Sequence, residues 1–575
     1  MAKINGAEII VRSLIEEKTR VVFGYPGGSV ITLFDTIYSY NNKIDFYLPR
    51  HEQGGVHAAD GYARATGEVG VCIVTSGPGA TNTVTGLATA YIDSVPMVVF
   101  TGQVGTHMIG NDAFQEVDTT GITRPVTKHN FLVKDVNDLA QVIKDAFYLA
   151  RTGRPGPILI DVPSDVQKAV TNFVYPSKTS IKSYNPVLKG SSSQLKKAWN
   201  TIKKAKKPII YAGGGVIIAN AAKEMKEFVD KTNIPITTTL LGLGAYPETE
   251  DLSLHMLGMH GTQYANIAIT ECDLIIAIGA RFDDRVTGKV DEFAPHAKII
   301  HIDIDPTSIG KSIQVDIPIV GDVKIILKDL NKIAEKCDID DWVRYIKKIK
   351  DKYPLSYDWD QKQIKPQYVM EELDKKTKGK AIIVTDVGQH QMWAAQFYKY
   401  TKPRSYISSG GLGTMGYGLP AAMGVKIAKS KEDVVLITGD GSFQMNEQEL
   451  ATISLYKIGV KIIILNNTFL GMVRQWQDLF YDKRYSSTFL MGPQKTLLDF
   501  KPADIEKAKF IPDFVKLGEA FDIESFSISK PEEVPSALVR LLDTKEPILL
   551  DVRIAPEENV LPMVPAGSAL NRMLS

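Results

Sequence analysis

The sequence predicts an α/β protein made of three doubly wound domains with parallel sheets. Three observations point there. Short apolar runs alternate with helix-like stretches along almost the whole chain; the candidate strands are Val69–Thr75, Met97–Thr101, Ile158–Asp161, Pro208–Ala212, Leu274–Gly279, Ile299–Ile304, Ile382–Asp386, Val434–Thr438 and Lys461–Asn466. These runs give way to glycine or small polar residues, the kind of ending that opens a ligand crevice at the carboxyl edge of an α/β sheet. And 575 residues are too many for one hydrophobic core.

The domains fall at about 1–165, 193–334 and 367–550, with a tail over 551–575. Residues 166–192 are polar, broken by Pro176 and Pro186, and lead into the Gly-Ser-Ser-Ser run 190–193, which reads as a linker. Residues 335–366, rich in Lys, Asp and Tyr, read as a surface helix and connector. The net charge of +1, with no Lys/Arg block, gives no general reason to bind nucleic acid or an anionic membrane. Cys72, Cys272 and Cys337 lie far apart, which argues against a disulfide framework and a cysteine zinc site. No apolar run is long enough for a bilayer, and the first residues, with Glu8, Glu16 and Glu17, lack a signal or transit layout. The expectation is a soluble cytoplasmic protein, or a stromal one for an organelle-encoded or processed chain.

Three motifs carry the chemistry. The run Val434-Val-Leu-Ile-Thr-Gly-Asp-Gly-Ser-Phe443 delivers Asp440 between two glycines at a strand end, and Lys461-Ile-Ile-Ile-Leu-Asn-Asn467 delivers Asn467 to the same edge. The two lie 27 residues apart, a length that suits one βαβ crossover with a helix from Glu447 to about Lys457. A carboxylate beside an amide offers hard oxygen ligands to Mg²⁺, and the glycines let backbone approach a diphosphate. Second, Leu48-Pro-Arg-His-Glu52 opens a helix, and the spacing of His51 and His57 excludes a zinc-protease motif. Third, Gly411, Gly413 and Gly416 formally match G-x-G-x-x-G, which by itself is weak support for a dinucleotide site.

Gly439-Asp440-Gly441 with Asn466-Asn467, Glu52 ahead of Thr75-Ser-Gly-Pro-Gly-Ala-Thr-Asn82, and the glycine turn together resemble the thiamine-diphosphate-dependent enzymes. The resemblance sharpens to the large catalytic subunit of acetolactate synthase through Phe23-Gly-Tyr-Pro-Gly-Gly28, Asp112-Ala-Phe-Gln-Glu116, Gly153-Arg-Pro-Gly-Pro157, Leu257-Gly-Met-His-Gly261, Gly279-Ala-Arg-Phe-Asp-Asp-Arg-Val-Thr-Gly288, Gly388-Gln-His-Gln-Met-Trp-Ala-Ala395 and Gly471-Met-Val-Arg-Gln-Trp476. It implies that the three domains bind the thiamine pyrimidine, FAD and the diphosphate in that order. It further implies decarboxylation of pyruvate and joining of the two-carbon remnant to a second 2-keto acid, in a homodimer or homotetramer with sites at the interface and with a small regulatory subunit among its partners.

By the same resemblance Glu52 hydrogen-bonds the aminopyrimidine, and an apolar pocket would keep it partly protonated for that task. Gly28 and Gln115 contact reacting groups and Phe114 lines the pocket. Met415 is the wedge that bends the cofactor. Val387, Gly388, Gln389, His390, Gly413, Gly439, Asp440, Gly441, Ser442, Asn467, Gly471 and Met472 complete the thiamine-diphosphate site, and Asp440, Asn467 and the Phe469 carbonyl hold the metal. Arg281, Trp476 and Met472 shape the substrate pocket, where a guanidinium pairs with a carboxylate. FAD falls to Arg154, Gly213, Gly214, Gly215, Thr238, Leu240, Leu257, Gly258, Met259, His260, Gly279, Ala280, Arg281, Asp283, Arg285, Asp303, Ile304, Asp322 and Val323. The chain departs from the family at Ser164, usually Lys, at Gly105, usually Pro, and at Gly441, usually Ala. Rival readings are a pyruvate oxidase, a simple decarboxylase, an FAD-free acetolactate synthase, an NAD dehydrogenase resting on Gly411–Gly416 and a catalytically dead paralogue. The Arg281–Gly288 run and Trp476 favour the biosynthetic carboligase.

Overall fold

The computed structural model describes residues 3–359, 362–491 and 512–575. The apolar runs form three six-stranded sheets, and every strand pair in them is parallel. The first sheet runs Asp45–Tyr47, Val21–Tyr25, Gly70–Val74, Met97–Gln103, Pro157–Pro163, His129–Leu132 across its width. The last repeats that order with Tyr406–Ile407, Ile382–Thr385, Val434–Gly439, Lys461–Asn466, Ile548–Arg553, Glu524–Ile528. The central sheet is wound differently. From Pro208–Ala212 the chain steps outward through Ile236–Thr238 to Ser253–Met256, crosses back to Leu274–Ile278, and steps the other way through Lys298–Asp303 to Ile317–Val320.

Both faces of these sheets are covered, which is why the strands read as unbroken apolar runs rather than alternating ones. In the last sheet Val434, Leu436, Ile462 and Ile464 point to one core and Val435, Ile437, Ile463 and Leu465 to another. The first of these cores also takes in Phe23, Cys72, Val74 and Val99 of the first sheet, so the two outer domains share one hydrophobic interior. Helices Glu52–Thr66 and Gly418–Ala428 form the seam between them. Their axes come close because glycine faces backbone at both crossings: a Cβ on Gly61 would stand 2.3 Å from the Ala421 carbonyl oxygen, and one on Gly424 only 1.9 Å from that of Ala58. Helix Glu52–Thr66 is therefore locked against the last domain, which matters because it begins with Glu52.

The structure departs from the sequence reading in several places. The helix Ser164–Lys168 runs past 166 and Val170–Asn172 then pairs antiparallel with Lys3–Asn5, so the start of the expected linker belongs to the first domain. Strand Ile548–Arg553 straddles the expected boundary at 550. The single helix expected from Glu447 is a 3-10 turn, Glu447–Glu449, followed by the short helix Leu450–Leu455, and Asp440 itself starts a one-turn helix, Asp440–Phe443. Helix Asp340–Lys352 does occupy the connector after the central domain. Among the described residues no helix is long and apolar enough to cross a membrane.

Arg404 ties all three domains together. Its guanidinium donates to the carbonyl oxygens of Arg64 (2.6 Å) in the first domain and Ile217 (3.2 Å) in the central one, and to Asn220 Oδ1 (3.0 Å). Substituting Ala strips two part-buried carbonyl oxygens of a charged donor, so Arg404→Ala is expected to destabilise the chain by about 1–3 kcal/mol. A urea titration showing an unchanged midpoint would refute the clamp.

Candidate active site

Each sheet has a switch point where the connections from neighbouring strands run to opposite sides, and ligands of open α/β sheets sit there, beyond the carboxyl ends of the strands. In the last domain the switch point lies between Ile382–Thr385 and Val434–Gly439, and the chain leaves those strands as Asp386-Val387-Gly388 and Gly439-Asp440-Gly441. Asp440 is buried, with Oδ1 accepting from Gly441 N at 3.1 Å, and burial pushes its pKa up to about 8. Such a carboxylate stays ionised at neutral pH only if a cation offsets its lost hydration. One strand along, Asn467 is fixed as an oxygen donor: its Nδ2 gives to Gln389 Oε1 (3.1 Å) while its Oδ1 accepts from Phe469 N (3.1 Å). Among the described residues there is no cluster of three or more His, Cys, Asp or Glu for a metal. The donors at hand are one carboxylate, one amide oxygen and a carbonyl, the hard oxygen set that Mg²⁺ takes when phosphate and water fill its remaining positions.

The surroundings of Asp440 and Asn467 are built from a hydroxyl, a ring and glycine backbone. Ser442 Oγ donates to the Val387 carbonyl oxygen (3.0 Å). The His390 ring packs against Gly388 and Gly439, where a Cβ would stand 3.0 and 2.8 Å from it. Burial lowers the His390 pKa to about 3, and its buried Nε2 has no hydrogen-bond partner within the chain. A neutral imidazole with a free ring nitrogen beside Gly439-Asp440 fits an anionic group there. Gly471 begins helix Gly471–Phe480, which carries Met472 and Trp476.

The glycine turn is held from another domain. Asp93 caps the end of helix Val84–Ile92 and accepts from Gly410 N (2.9 Å) and Gly411 N (2.8 Å). Arg64 joins Asp93 (2.9 Å) to Asp60 (2.6 Å), and Tyr417 OH donates to Asp60 (2.6 Å). This buried chain fixes the segment that ends in Gly413 and Met415. Nothing in the sequence singled out Asp93, an Asp between two apolar segments.

A cavity of 720 Å³ opens between the central and last domains, with Asp93, Ser94, Arg151 and Arg154 of the first domain also on its wall. Val387, Gly388, Gly413, Met415, Met472 and Trp476 line one end of it. The other end is lined by Arg154, Gly214, Gly215, Leu240, Leu257, Met259, His260, Gly279, Ala280, Arg281, Asp283, Arg285, Asp303, Ile304, Asp322 and Val323. Gly213, Thr238 and Gly258 are not on its wall, whereas Thr239 and Leu241, which the sequence reading missed, are. The central strands stand in the 3-2-1-4-5-6 order of dinucleotide-binding sheets, with the switch point between Pro208–Ala212 and Leu274–Ile278. Gly213 and Gly215 serve that crossing: a Cβ on either would stand within 2.7 Å of Gly279 backbone, so both pack the strand ends, and Gly214 and Gly215 also border the cavity. Asp303, at the end of its strand, has its pKa raised to about 6 by burial. Arg285 lies over the Trp476 ring (5.9 Å to its centre), and Arg281 sits beside Asp283 (3.8 Å).

The remaining candidate residues of the first domain lie elsewhere. The switch point of that domain lies between Val21–Tyr25 and Gly70–Val74, where Gly28 begins a 3-10 turn and Pro78–Thr81 a short helix. Glu52 is the first residue of its helix, and its Oε2 accepts from Asn82 Nδ2 at 3.0 Å. Gln115, at φ 59°, is packed against Gly77. Phe114 is 88% exposed, an unusual state for so large an apolar side chain. None of Gly28, Glu52, Phe114 and Gln115 lines the large cavity. Among the described residues no hydrogen bond joins Glu52 to Asp440, Asn467 or His390. Among the described residues, then, Glu52 and Asp440 neither share a hydrogen bond nor line the cavity together.

Three family models match the chain in order: the N-terminal TPP binding domain of thiamine pyrophosphate enzymes over residues 4–122, their central domain over 195–330, and their C-terminal TPP binding domain over 386–552. Among curated proteins it is 47% identical over 585 residues to the acetolactate synthase isozyme 3 large subunit of Escherichia coli, covering 100% of this chain and 99% of that one. It is 49% identical to the acetolactate synthase large subunit of Corynebacterium glutamicum, over 99% of this chain and 89% of the other. To the chloroplastic acetolactate synthase 3 of Brassica napus it is 47% identical, over 99% and 86%. Similarity of this level along the whole length, on a fold whose strand ends present the thiamine motifs, means that the chain belongs to the acetolactate synthase large-subunit family of thiamine-diphosphate-dependent enzymes.

Proposed function

We infer that the chain is a carboligase of branched-chain amino acid biosynthesis. It decarboxylates pyruvate on thiamine diphosphate and condenses the two-carbon unit with a second pyruvate or 2-ketobutyrate, giving 2-acetolactate or 2-aceto-2-hydroxybutyrate. The full-length identity to acetolactate synthase large subunits carries this, and the arrangement of Asp440, Asn467 and Glu52 agrees with it. Thiamine diphosphate, when bound, supplies the electron sink for decarboxylation. The residues of this chain do the rest.

Asp440, Asn467 Oδ1 and the Phe469 carbonyl oxygen hold Mg²⁺, with His390 and the turn Val387–Gly388 receiving the diphosphate. Support for this comes from the buried carboxylate with its raised pKa and the unpartnered His390 Nε2. Glu52, oriented by Asn82, exchanges a proton with the aminopyrimidine, and Met415, on the turn fixed by Asp93, sets the bend of the cofactor. Arg281 pairs with the carboxylate of the incoming keto acid, and Trp476 with Met472 limits the space beside it. The central-domain end of the cavity would hold FAD in a structural role; the strand order and the Asp303 carboxylate at a strand end support this. The site is completed by a second copy, whose Glu52, Gln115 and exposed Phe114 face the diphosphate half of the first. A small regulatory subunit is part of the same proposal, by likeness to proteins named large subunits.

The test is a product assay with pyruvate and 2-ketobutyrate together, plus thiamine diphosphate, Mg²⁺ and FAD. Both acetohydroxy acids, with CO₂, are expected. Acetaldehyde, or acetyl phosphate with oxygen uptake, would replace the carboligase by a decarboxylase or an oxidase. In the same assay Trp476→Leu is expected to change the ratio of the two products by about tenfold or more, because pocket contacts on this scale discriminate single methylenes by roughly 10–200-fold. An unchanged ratio would remove Trp476 from the pocket wall.

A further inference from the structure

The backbone N–H groups of the turn that leads into Glu52 are held by another domain. Leu48-Pro-Arg-His51 has three backbone N–H groups, since Pro49 has none, and each goes to a side chain of residues 449–456 in the last domain. Leu48 N donates to Tyr456 OH (3.2 Å). Arg50 N donates to Glu449 Oε1 (2.9 Å), and His51 N to the same oxygen (3.1 Å). Thr452 Oγ1 reaches both the Leu48 carbonyl oxygen (3.1 Å) and Glu449 Oε2 (3.0 Å), fixing the carboxylate on its other side. The rings of Tyr47 and Tyr456 pack at 5.0 Å. Glu449 is fully buried, and room for it exists only because residue 54 is glycine: a Cβ there would stand 2.4 Å from Glu449 Oε1.

A buried carboxylate accepting two consecutive backbone N–H groups is a strong, directional brace. It acts on the two residues immediately before Glu52, where the chain has left its strand and not yet entered its helix. We propose that Glu449 is a positioning residue for the reaction: it fixes the turn Leu48–His51 and thereby the direction in which the Glu52 side chain leaves it. The inference rests on Glu52 being the acid that serves the aminopyrimidine. It also gives the diphosphate domain a second task, since Glu449 follows the Asp440 motif in the same segment.

The experiment uses the full chain with Mg²⁺ and thiamine diphosphate and reads three quantities: exchange of the cofactor's thiazolium C2 proton for deuterium, cofactor affinity by tryptophan fluorescence, and deuterium uptake by amides 50–55 of the cofactor-free chain. Glu449→Ala is expected to slow C2 exchange by about 10- to 100-fold, the scale of a misplaced reacting group. Cofactor affinity should change by less than about threefold, because no diphosphate or metal contact is touched. Amides 50 and 51 should exchange faster. Glu449→Gln, which keeps an acceptor oxygen, should restore most of the C2 exchange. Should the Ala variant not fold, Glu449→Asp decides, because one methylene less withdraws the carboxylate from both N–H groups. Wild-type C2 exchange in the folded Ala or Asp variant overturns the proposal. Glu52→Gln serves as the control: loss of exchange there, with wild-type exchange in the Glu449 variants, removes Glu449 alone, whereas wild-type exchange in Glu52→Gln removes the role of Glu52 and this inference with it.

Discussion

Replacing Glu52 by Gln is expected to lower turnover by roughly 10²–10⁴-fold, the usual contribution of one positioned proton-transfer group. The fold should survive, since Glu52 is the half-buried first residue of a helix whose N-cap is His51, not Glu52. Gln also preserves the shape and an acceptor for Asn82 Nδ2, so the loss isolates the proton. Pyruvate consumption within threefold of wild type, with an unchanged unfolding midpoint, would take the acid's role from Glu52.

Asp440→Asn should act on binding rather than on the fold. Loss of a direct ligand is expected to weaken Mg²⁺-dependent thiamine-diphosphate binding by more than the roughly 10–100-fold that losing an outer-shell partner costs. The cofactor-free protein should be as stable as wild type or more so, because burial already holds the Asp440 pKa at about 8 and a neutral amide lifts that penalty. The two effects separate in thermal unfolding. Wild type gains stability when Mg²⁺ and thiamine diphosphate are added together, as linkage requires, and Asp440→Asn does not. An equal gain in both would show that the metal is held elsewhere.

How much of this could be read from the residues alone depended on where each one sits. Strands buried on both faces, such as Val434–Gly439 and Lys461–Asn466, announced themselves because nothing polar interrupts them. Short edge strands such as Asp45–Tyr47 and Tyr406–Ile407, and Glu524–Ile528 with its half-polar pattern, carried too little apolar signal to be seen. Asp440, Asn467 and Glu52 were legible because their neighbours, glycines and paired amides, are constrained by backbone geometry. Glu449 and Asp93 were not, since each acts on backbone N–H groups more than 300 residues away, and no local pattern marks such a partner. The glycines of the central domain were legible as a motif, but only the structure separates Gly214 and Gly215, on the cavity wall, from Gly213, which lies off it between strand ends.

The most direct test of a site shared between two copies is to mix the Glu52→Gln and Asp440→Asn proteins, let subunits exchange, and assay 2-acetolactate. Each variant alone is inactive. In a hybrid dimer one site combines the intact Glu52 of one chain with the intact Asp440 of the other, and about half the dimers formed from an equal mixture are hybrids. About a quarter of the wild-type activity should therefore return. Hybrids that form, as shown by a tag on one variant, yet produce no 2-acetolactate would contradict the shared site and place both half-sites within one chain.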